Sequence, residues 1–443
     1  MNSKLIKELP ELVENDIISQ DIASKIERYY QSKTNNTPNR LFTVFGVLGS
    51  ILVGLGIMLI LAHNWDDFSK SIKTIFAFAP LVIGQLLVGF SILNKKSKTW
   101  KEASGVFLFF TVGASIAMVS QIYNIPGDFT NYMLVWILLC APLIYLLKSH
   151  ALAILHLVYA TIYACNYGYA DGTKAPWLFL VLILLLIPYY VSLLQSKPKA
   201  NITSVFNWLL PISLIITLGA FITKFDELIF LSYIILFGLF YNLGKLPVFN
   251  NLKLRQNGYL VLGSFGTVVL LLISSFRIVW EEVLTISSFS GNETTLVTVL
   301  FVISLGVLVY LFLKKEVNKL NMFHYIFIIM TILFFVGLKN DVSPTIITNI
   351  LLLILGINAI KIGADKMHFG VLNYGLVIIT GLIFCRFFDT DMSFVIRGLL
   401  FVFVGIGFFA TNYIMFRKQK NKNTSIKSLD AIEIKEEDIK TLK

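Results

Sequence analysis

The chain has 443 residues, of which 56% are hydrophobic and only 14% are charged, and its formal net charge is +11. Soluble globular proteins carry roughly 45–50% apolar and about 25% charged residues, so this composition excludes an ordinary soluble domain. The basic residues lie in short segments between apolar runs rather than along one stripe, which argues against nucleic acid as a partner and is typical of membrane topology signals.

The polar N-terminal segment, residues 1–40, predicts a cytoplasmic hairpin of two short amphipathic helices. The residues Asn15, Asp16 and Ser19 mark the turn, and Ser19 is a candidate N-cap of the second helix. A segment of this length cannot bury a core unaided. We therefore expect it to pack on the membrane domain, on a second copy of the chain, or on a protein partner.

Residues 41–416 predict one all-α, polytopic membrane domain of about 14 transmembrane helices, because crossing a bilayer as a helix takes about twenty mostly apolar residues. The predicted spans are 41–62, 74–93, 104–122, 131–147, 151–167, 177–194, 205–222, 227–243, 258–276, 294–313, 321–338, 345–360, 369–385 and 393–416. The spans 131–147 and 151–167 are separated by only three residues, so the helix count depends most on this pair.

The basic residues of the connecting loops indicate the orientation. The even-numbered loops carry 15 lysines and arginines and the odd-numbered loops carry 7. Because cytoplasmic loops carry the excess of Lys and Arg, the even loops and both termini are predicted to be cytoplasmic. Residues 417–443 are rich in Lys, Asn and Glu and predict a mobile cytoplasmic tail. The lipid bilayer is the expected partner, and the cytoplasmic membrane of a bacterium is the expected location.

No motif of known chemistry is evident. Cys140, Cys165 and Cys385 lie in apolar segments without metal-site spacing, and we interpret them as packing residues. The chain has no phosphate-binding loop, no zinc helix and no nucleophile elbow. We therefore predict no cofactor, no metal and no assigned catalytic residue.

Three polar groups flank predicted spans at the outer face, where polar residues near lipid are candidates for function. They lie at the end of the first span, at the end of the third span, and between the last two spans. The candidate ligand-binding residues in them are Asn64, Asp66, Asp67, Gln121, Tyr123, Asn124, Asp128, Arg386, Asp389, Asp391 and Arg397.

Three interpretations of these groups remain open. The aspartates can bind a cation or a headgroup, with the arginines as anion clamps or ion-pair partners and the amides and Tyr123 as hydrogen-bond donors and acceptors. Alternatively, the groups are interfacial anchors and helix caps, or an aspartate acts as a base. Isolated polar residues inside spans, such as His156, Asn207 and Asn412, predict interhelical hydrogen bonds, and the small residues Gly113 and Ala117 predict close helix packing.

Two of these segments carry a family resemblance. The runs GVLGSILVGLGIMLILAHNWDDF (Gly46–Phe68) and GASIAMVSQIYNIPGD (Gly113–Asp128) resemble the prokaryotic membrane proteins called domain of unknown function 2157, mainly over residues 1–150. The N-terminal hairpin and the segment RFFDTDMSFVIRGLLF (Arg386–Phe401) are similar to segments of that family as well. The resemblance implies a multi-pass membrane protein and brings no activity with it.

The leading functional hypothesis is a transporter, flippase or channel-like protein for a small or lipid-linked solute, with a polar site at the outer face. One alternative is a membrane assembly or sensor scaffold without catalysis, in which the N-terminal hairpin recruits a protein partner. The other alternative is a membrane-embedded enzyme acting on a lipid-linked substrate.

Overall fold

A computed structural model describes residues 9–15, 17–34, 65–170, 175–222, 226–249, 252–283, 292–314, 320–338, 342–389, 395, 398–399, 401–403, 405–414 and 416–417. All regular structure within these residues is helical, which confirms the all-α class. The chain divides into two compact units, residues 1–79 and residues 80–443. The predicted first span at 41–62 and the tail from residue 418 lie outside the described residues.

The first unit contains a short helical segment at residues 9–14 and helix α1, Gln20–Thr34. The Ser19 hydroxyl accepts a hydrogen bond from the Ile22 N–H at 3.4 Å, so Ser19 caps α1 as the sequence predicts. Helix α2, Lys70–Leu93, begins in this unit, and the Ser69 hydroxyl accepts a 3.4 Å hydrogen bond from the Ile72 N–H in its first turn. Both helices therefore start where a serine satisfies a free backbone donor.

The second unit contains the remaining helices. They are α3 Lys98–Tyr123, α4 Phe129–Leu147, α5 His150–Cys165, α6 Trp177–Ser196, α7 Asn201–Leu218, α8 Asp226–Leu243, α9 Gly258–Ser274, α10 Asn292–Leu313, α11 Ile326–Gly337, α12 Val342–Asp365 and α13 Phe369–Asp389. A further apolar helical stretch runs over Phe401–Ile414.

Among the described residues, nine helices are long and apolar enough to cross a membrane. They contain α2 to α7, α10, α12 and α13, while α8, α9, α11 and the stretch Phe401–Ile414 are shorter apolar helices. Each coincides with a predicted span, and the chain is a polytopic helical membrane protein. The total of fourteen spans and the cytoplasmic placement of both termini stay predictions.

Small residues set the packing of the second unit. Helix α5 contacts α3, α4, α6 and α7, and Ala153, Ala160 and Ala164 on it are fully buried. Helix α8 contacts α9, α10 and α11, and α9 in turn contacts α7, α12 and α13. Because lipid gives no hydrophobic drive for helices to associate, close van der Waals contact across small side chains holds such helices together.

The contact between α3 and α4 is especially close at Gly113. A Cβ atom placed on Gly113 would lie 2.3 Å from Cε2 of Trp136. The Trp136 indole N–H donates to the Phe109 carbonyl at 2.7 Å, and the Tyr132 hydroxyl donates to the Gly113 carbonyl at 3.0 Å. Gly113 is therefore a packing residue, as the small-residue pattern predicts.

The predicted pair of spans with the shortest connection forms two separate helices, α4 and α5. Lys148 takes a left-handed conformation with φ 50°, and the Ser149 hydroxyl accepts a hydrogen bond from Leu152 N–H at 3.2 Å. The Glu102 carboxylate of α3 accepts the His150 N–H at 2.9 Å, the Ala151 N–H at 3.0 Å and the Ser149 hydroxyl. A single acidic side chain thus satisfies the first donors of α5 and ties the turn to α3.

The isolated polar residues inside spans form the predicted interhelical bonds. His156 lies 2.9 Å from the Leu182 carbonyl of α6, and Asn412 donates to Asn373 of α13 at 3.0 Å. The Tyr190 hydroxyl donates to Asn207 at 2.6 Å, and Asn207 donates to the Gln256 carbonyl at 2.8 Å. These side chains are satisfied by neighbouring helices and loops.

Replacing Gly113 with alanine should destabilise the fold by about 1–3 kcal/mol, because the new methyl group overlaps a tryptophan ring that its own hydrogen bond holds in place. The measurement is thermal unfolding of the purified protein in detergent. Gly89→Ala is the matched control, since nothing lies within 4 Å of a Cβ atom there. Equal midpoints for the two variants would contradict the close contact of α3 with α4.

Candidate functional site

The first polar group lies in the turn before α2. Asp66 and Asp67 are exposed, while Trp65 and Phe68 beside them are partly buried. The Lys73 ammonium lies 5.5 Å from the Trp65 ring centre, and the rings of Phe68 and Phe76 are 5.6 Å apart. These contacts fix the turn to the start of α2 and leave the two carboxylates at its surface. Asn64 lies outside the described residues.

The second group ends α3. Asn124 takes the left-handed conformation, with φ 49°, and its N–H donates to the Ser120 carbonyl. The Ile125 N–H donates to the same carbonyl at 2.9 Å, and the Ser120 hydroxyl donates to the Ile125 carbonyl at 2.9 Å. This C-cap holds the exposed side chains of Gln121, Tyr123 and Asn124 at a defined helix end.

Asp128 caps the next helix, α4. Its carboxylate accepts the Asn131 backbone N–H at 2.7 Å and the Asn131 side-chain amide at 2.6 Å. An acidic N-cap satisfies a free donor and complements the positive end of the helix dipole. The connection from Asn124 to Asp128 is thus fixed at both ends, and the Asp128 charge already has a structural role.

In the third group, Arg386 of α13 donates hydrogen bonds to the C-terminal end of α9. Its guanidinium donates to the Ser275 carbonyl at 2.7 Å and to the Ser275 hydroxyl at 3.2 Å, and it lies 5.2 Å from the Phe276 ring centre. The Asn349 amide of α12 donates to the same carbonyl at 3.0 Å. A cation at a helix C-terminus is stabilising, and Arg386 and Asn349 together join α13 and α12 to the end of α9.

The structure therefore gives the candidate residues separate local roles. Asp128 binds the start of α4, and Arg386 binds the end of α9. Asp389 is the last residue of α13, but its side chain, like the whole of Asp391 and Arg397, lies outside what is described. The role of these residues in binding a ligand stays a prediction.

The described residues also bear on metal chemistry. No group of three or more His, Cys, Asp or Glu side chains is placed to hold a metal ion within the described part of the chain. The three cysteines are free thiols, with Cys140 buried and the other two partly buried.

Sequence reasoning missed a polar cluster near the opposite end of the bundle. The Tyr241 hydroxyl and the Asn321 side chain exchange hydrogen bonds at 2.9 and 3.1 Å, and His324 Nδ1 lies 3.0 Å from the Asn321 carboxamide oxygen. The Lys245 ammonium lies 5.6 Å from the Tyr241 ring centre. The sequence cannot show this cluster, because Tyr241 and Asn321 lie 80 positions apart.

Substitutions of Asp128 should distinguish the stabilising effect of its capping hydrogen bond from that of its negative charge. We expect Asp128→Ala to lower the free energy of unfolding by about 1 kcal/mol and Asp128→Asn to leave it nearly unchanged, because asparagine caps helices as well as aspartate does. Chemical denaturation in detergent measures both. Equal losses in the two variants would show that the negative charge, rather than the cap, stabilises α4.

Arg386→Gln should destabilise the protein by about 1.5–3 kcal/mol, because a partly buried, charged donor to the end of α9 is lost. Arg277→Gln is the control from the same region. Arg277 is exposed and pairs with Glu281 at 2.7 Å, an interaction worth about 0–1 kcal/mol. Thermal unfolding compares the two variants, and a larger loss for Arg277→Gln would refute the anchoring role of Arg386.

Comparison with known proteins bears on the first third of the chain. No curated protein and no solved structure matches the chain significantly. Residues 10–153 include two of the three polar groups and the Glu102 turn, and they match the model of the family described as "Predicted membrane protein (DUF2157)", which confirms the family resemblance of this part of the chain.

Proposed function

We propose that this protein is a transporter, flippase or channel-like protein for a small or lipid-linked solute in the bacterial cytoplasmic membrane. Its site lies at the predicted outer face. The observation that carries the proposal is the exposed polar end of α3, Gln121 to Asn124, held by capping bonds at Ser120 and Asp128.

The capping bonds make this end of α3 suitable for binding. They use backbone groups of Asn124 and Ile125 and the side chains of Ser120 and Asp128, and they do not use the side-chain amides of Gln121 and Asn124. The backbone that carries those amides is thus held in place, while the side chains themselves are exposed. A preorganised polar surface loses less conformational entropy when a ligand binds, which favours a recognition role.

In the proposed site, Gln121, Tyr123 and Asn124 supply hydrogen bonds to the solute. In the second unit, the carboxylates of Asp128, Asp389 and Asp391 take a cation or a positively charged part of a headgroup. In the first unit, Asp66 and Asp67, together with Asn64, are proposed to do the same. Arg386 and Arg397 complete the set as anion clamps or ion-pair partners. Because Arg386 binds the end of α9, it contributes mainly by positioning α13.

A membrane scaffold is the second candidate. Asp128 and Arg386 both hold helix ends, which is the arrangement expected if the outer polar groups are structural. The N-terminal hairpin would then recruit a protein partner at the cytoplasmic face. The transporter and the scaffold differ in one expectation. Only the transporter requires the side-chain amides of Gln121 and Asn124 for movement of a solute.

The test uses purified protein in liposomes with two probes. Fluorescently labelled phosphatidylglycerol reports lipid movement through quenching by dithionite, and carboxyfluorescein reports leakage of a small solute. We expect the protein to accelerate one probe and the double variant Gln121→Ala, Asn124→Ala to slow it about fivefold or more, because two hydrogen-bonding groups are lost.

The double variant Gln195→Ala, Asn201→Ala is the matched control, since it removes the same two exposed residue types at the ends of α6 and α7. Its rate should equal that of the unchanged protein. If neither probe moves faster than in empty liposomes, or if both double variants slow it equally, the outer-face site is wrong and the scaffold function is favoured.

A further inference from the structure

An apolar groove lies beside α10, at residues that belong to none of the three polar groups predicted at the outer face. The short helical turn Pro247–Phe249 and the preceding Leu246 form one wall, and one face of α10 forms the other. The groove has a volume of about 450 Å³ and is lined by Leu246, Pro247, Val248, Ile303, Gly306, Val307 and Tyr310. It opens on one side and falls within the roughly 300–1,000 Å³ that small-molecule sites occupy.

The α10 wall follows helical spacing. Ile303, Gly306, Val307 and Tyr310 recur at intervals of three and four residues, so they form a continuous stripe. Gly306 leaves the middle of the stripe open, because nothing lies within 4 Å of a Cβ atom built there. A long, narrow apolar group can therefore lie along α10 without displacing protein atoms.

A basic residue lies beside the groove. The Lys314 ammonium lies 5.7 Å from the ring centre of Tyr310, which lines the groove. No acidic residue occurs in the described segments 228–249, 252–256 and 295–314 that surround the groove. The next segment, 315–319, adds two lysines and one glutamate in the sequence.

We infer that this groove binds an anionic phospholipid of the leaflet that the lysine distribution predicts to be cytoplasmic. One acyl chain lies against the stripe on α10, and the phosphate lies at Lys314. Charge complementarity selects the occupant: an uncharged or zwitterionic lipid would fill the apolar groove equally well but would bring no net negative charge to the lysine. Anionic lipids attract lysines at the membrane surface in just this way.

The experiment measures lipids retained by the detergent-purified, full-length protein. Native mass spectrometry compares added phosphatidylglycerol with phosphatidylcholine of the same chain length. We expect the unchanged protein to prefer phosphatidylglycerol, and Lys314→Ala to reduce that preference about fivefold while phosphatidylcholine binding stays the same. Gly306→Leu should reduce the binding of both lipids, because its side chain fills the groove.

Two variants elsewhere are matched controls. Lys96 lies over the ring of Phe90 at 4.9 Å, as Lys314 does over Tyr310, so Lys96→Ala removes an equivalent lysine from another helix end. Gly89 has the same open surroundings as Gly306, so Gly89→Leu adds an equivalent side chain outside the groove. Neither control should change lipid retention.

Equal retention of the two lipids by the unchanged protein would overturn the proposal and indicate ordinary boundary lipid. An equal effect of each groove variant and its control would do the same. Thermal unfolding of all four variants in detergent checks that they are folded, and a Gly306→Leu variant that does not fold leaves Lys314→Ala as the deciding comparison. The outcome is independent of the liposome assay, since it requires no movement of lipid.

Discussion

The structure depends on one constraint of the membrane interior: backbone N–H and C=O groups without partners are costly in lipid, so each helix end has to find donors or acceptors. Three charged residues meet this need. Glu102 accepts the first donors of α5, Asp128 caps α4, and Arg386 donates to the carbonyl that ends α9. Because Glu102 and Arg386 belong to other helices, satisfying a helix end also fixes the relative position of neighbouring helices.

Close packing between small residues completes the bundle. Gly113 brings α3 against the Trp136 ring, and buried alanines line α5, where four other helices meet. Such contacts gain dispersion energy without hydrophobic drive, which lipid does not supply. The large apolar side chains left at the surface, such as Leu139, which is 60% exposed, suit contact with acyl chains. A polar cluster or a groove differs from this apolar, lipid-facing surface, and its presence therefore calls for a separate structural or functional explanation.

The two ends of the bundle offer different chemistry. The end predicted to be outer presents amides and carboxylates, of which some hold helix ends and others are exposed. The end predicted to be cytoplasmic presents an apolar groove next to Lys314. A lipid bound in that groove would touch α10 and the connection from α8 to α9, and so would stabilise contacts in the second half of the bundle. The proposed outer site and the proposed lipid site are therefore separable by substitution.

The sequence by itself determined the all-α membrane class, the positions of the described spans and the family resemblance, because hydropathy, loop charge and local caps are encoded within short segments. It also identified residues at helix ends, such as Ser19 and Asp128, whose bonds reach only three residues along the chain. Only the tertiary structure decided that Arg386 binds Ser275, 111 positions away, and that Leu246 faces Tyr310 across a groove. Those pairings depend on which helices lie side by side. The apolar pattern of a sequence identifies membrane helices, but it does not specify which helices become neighbours, because lipid provides no hydrophobic drive for their association.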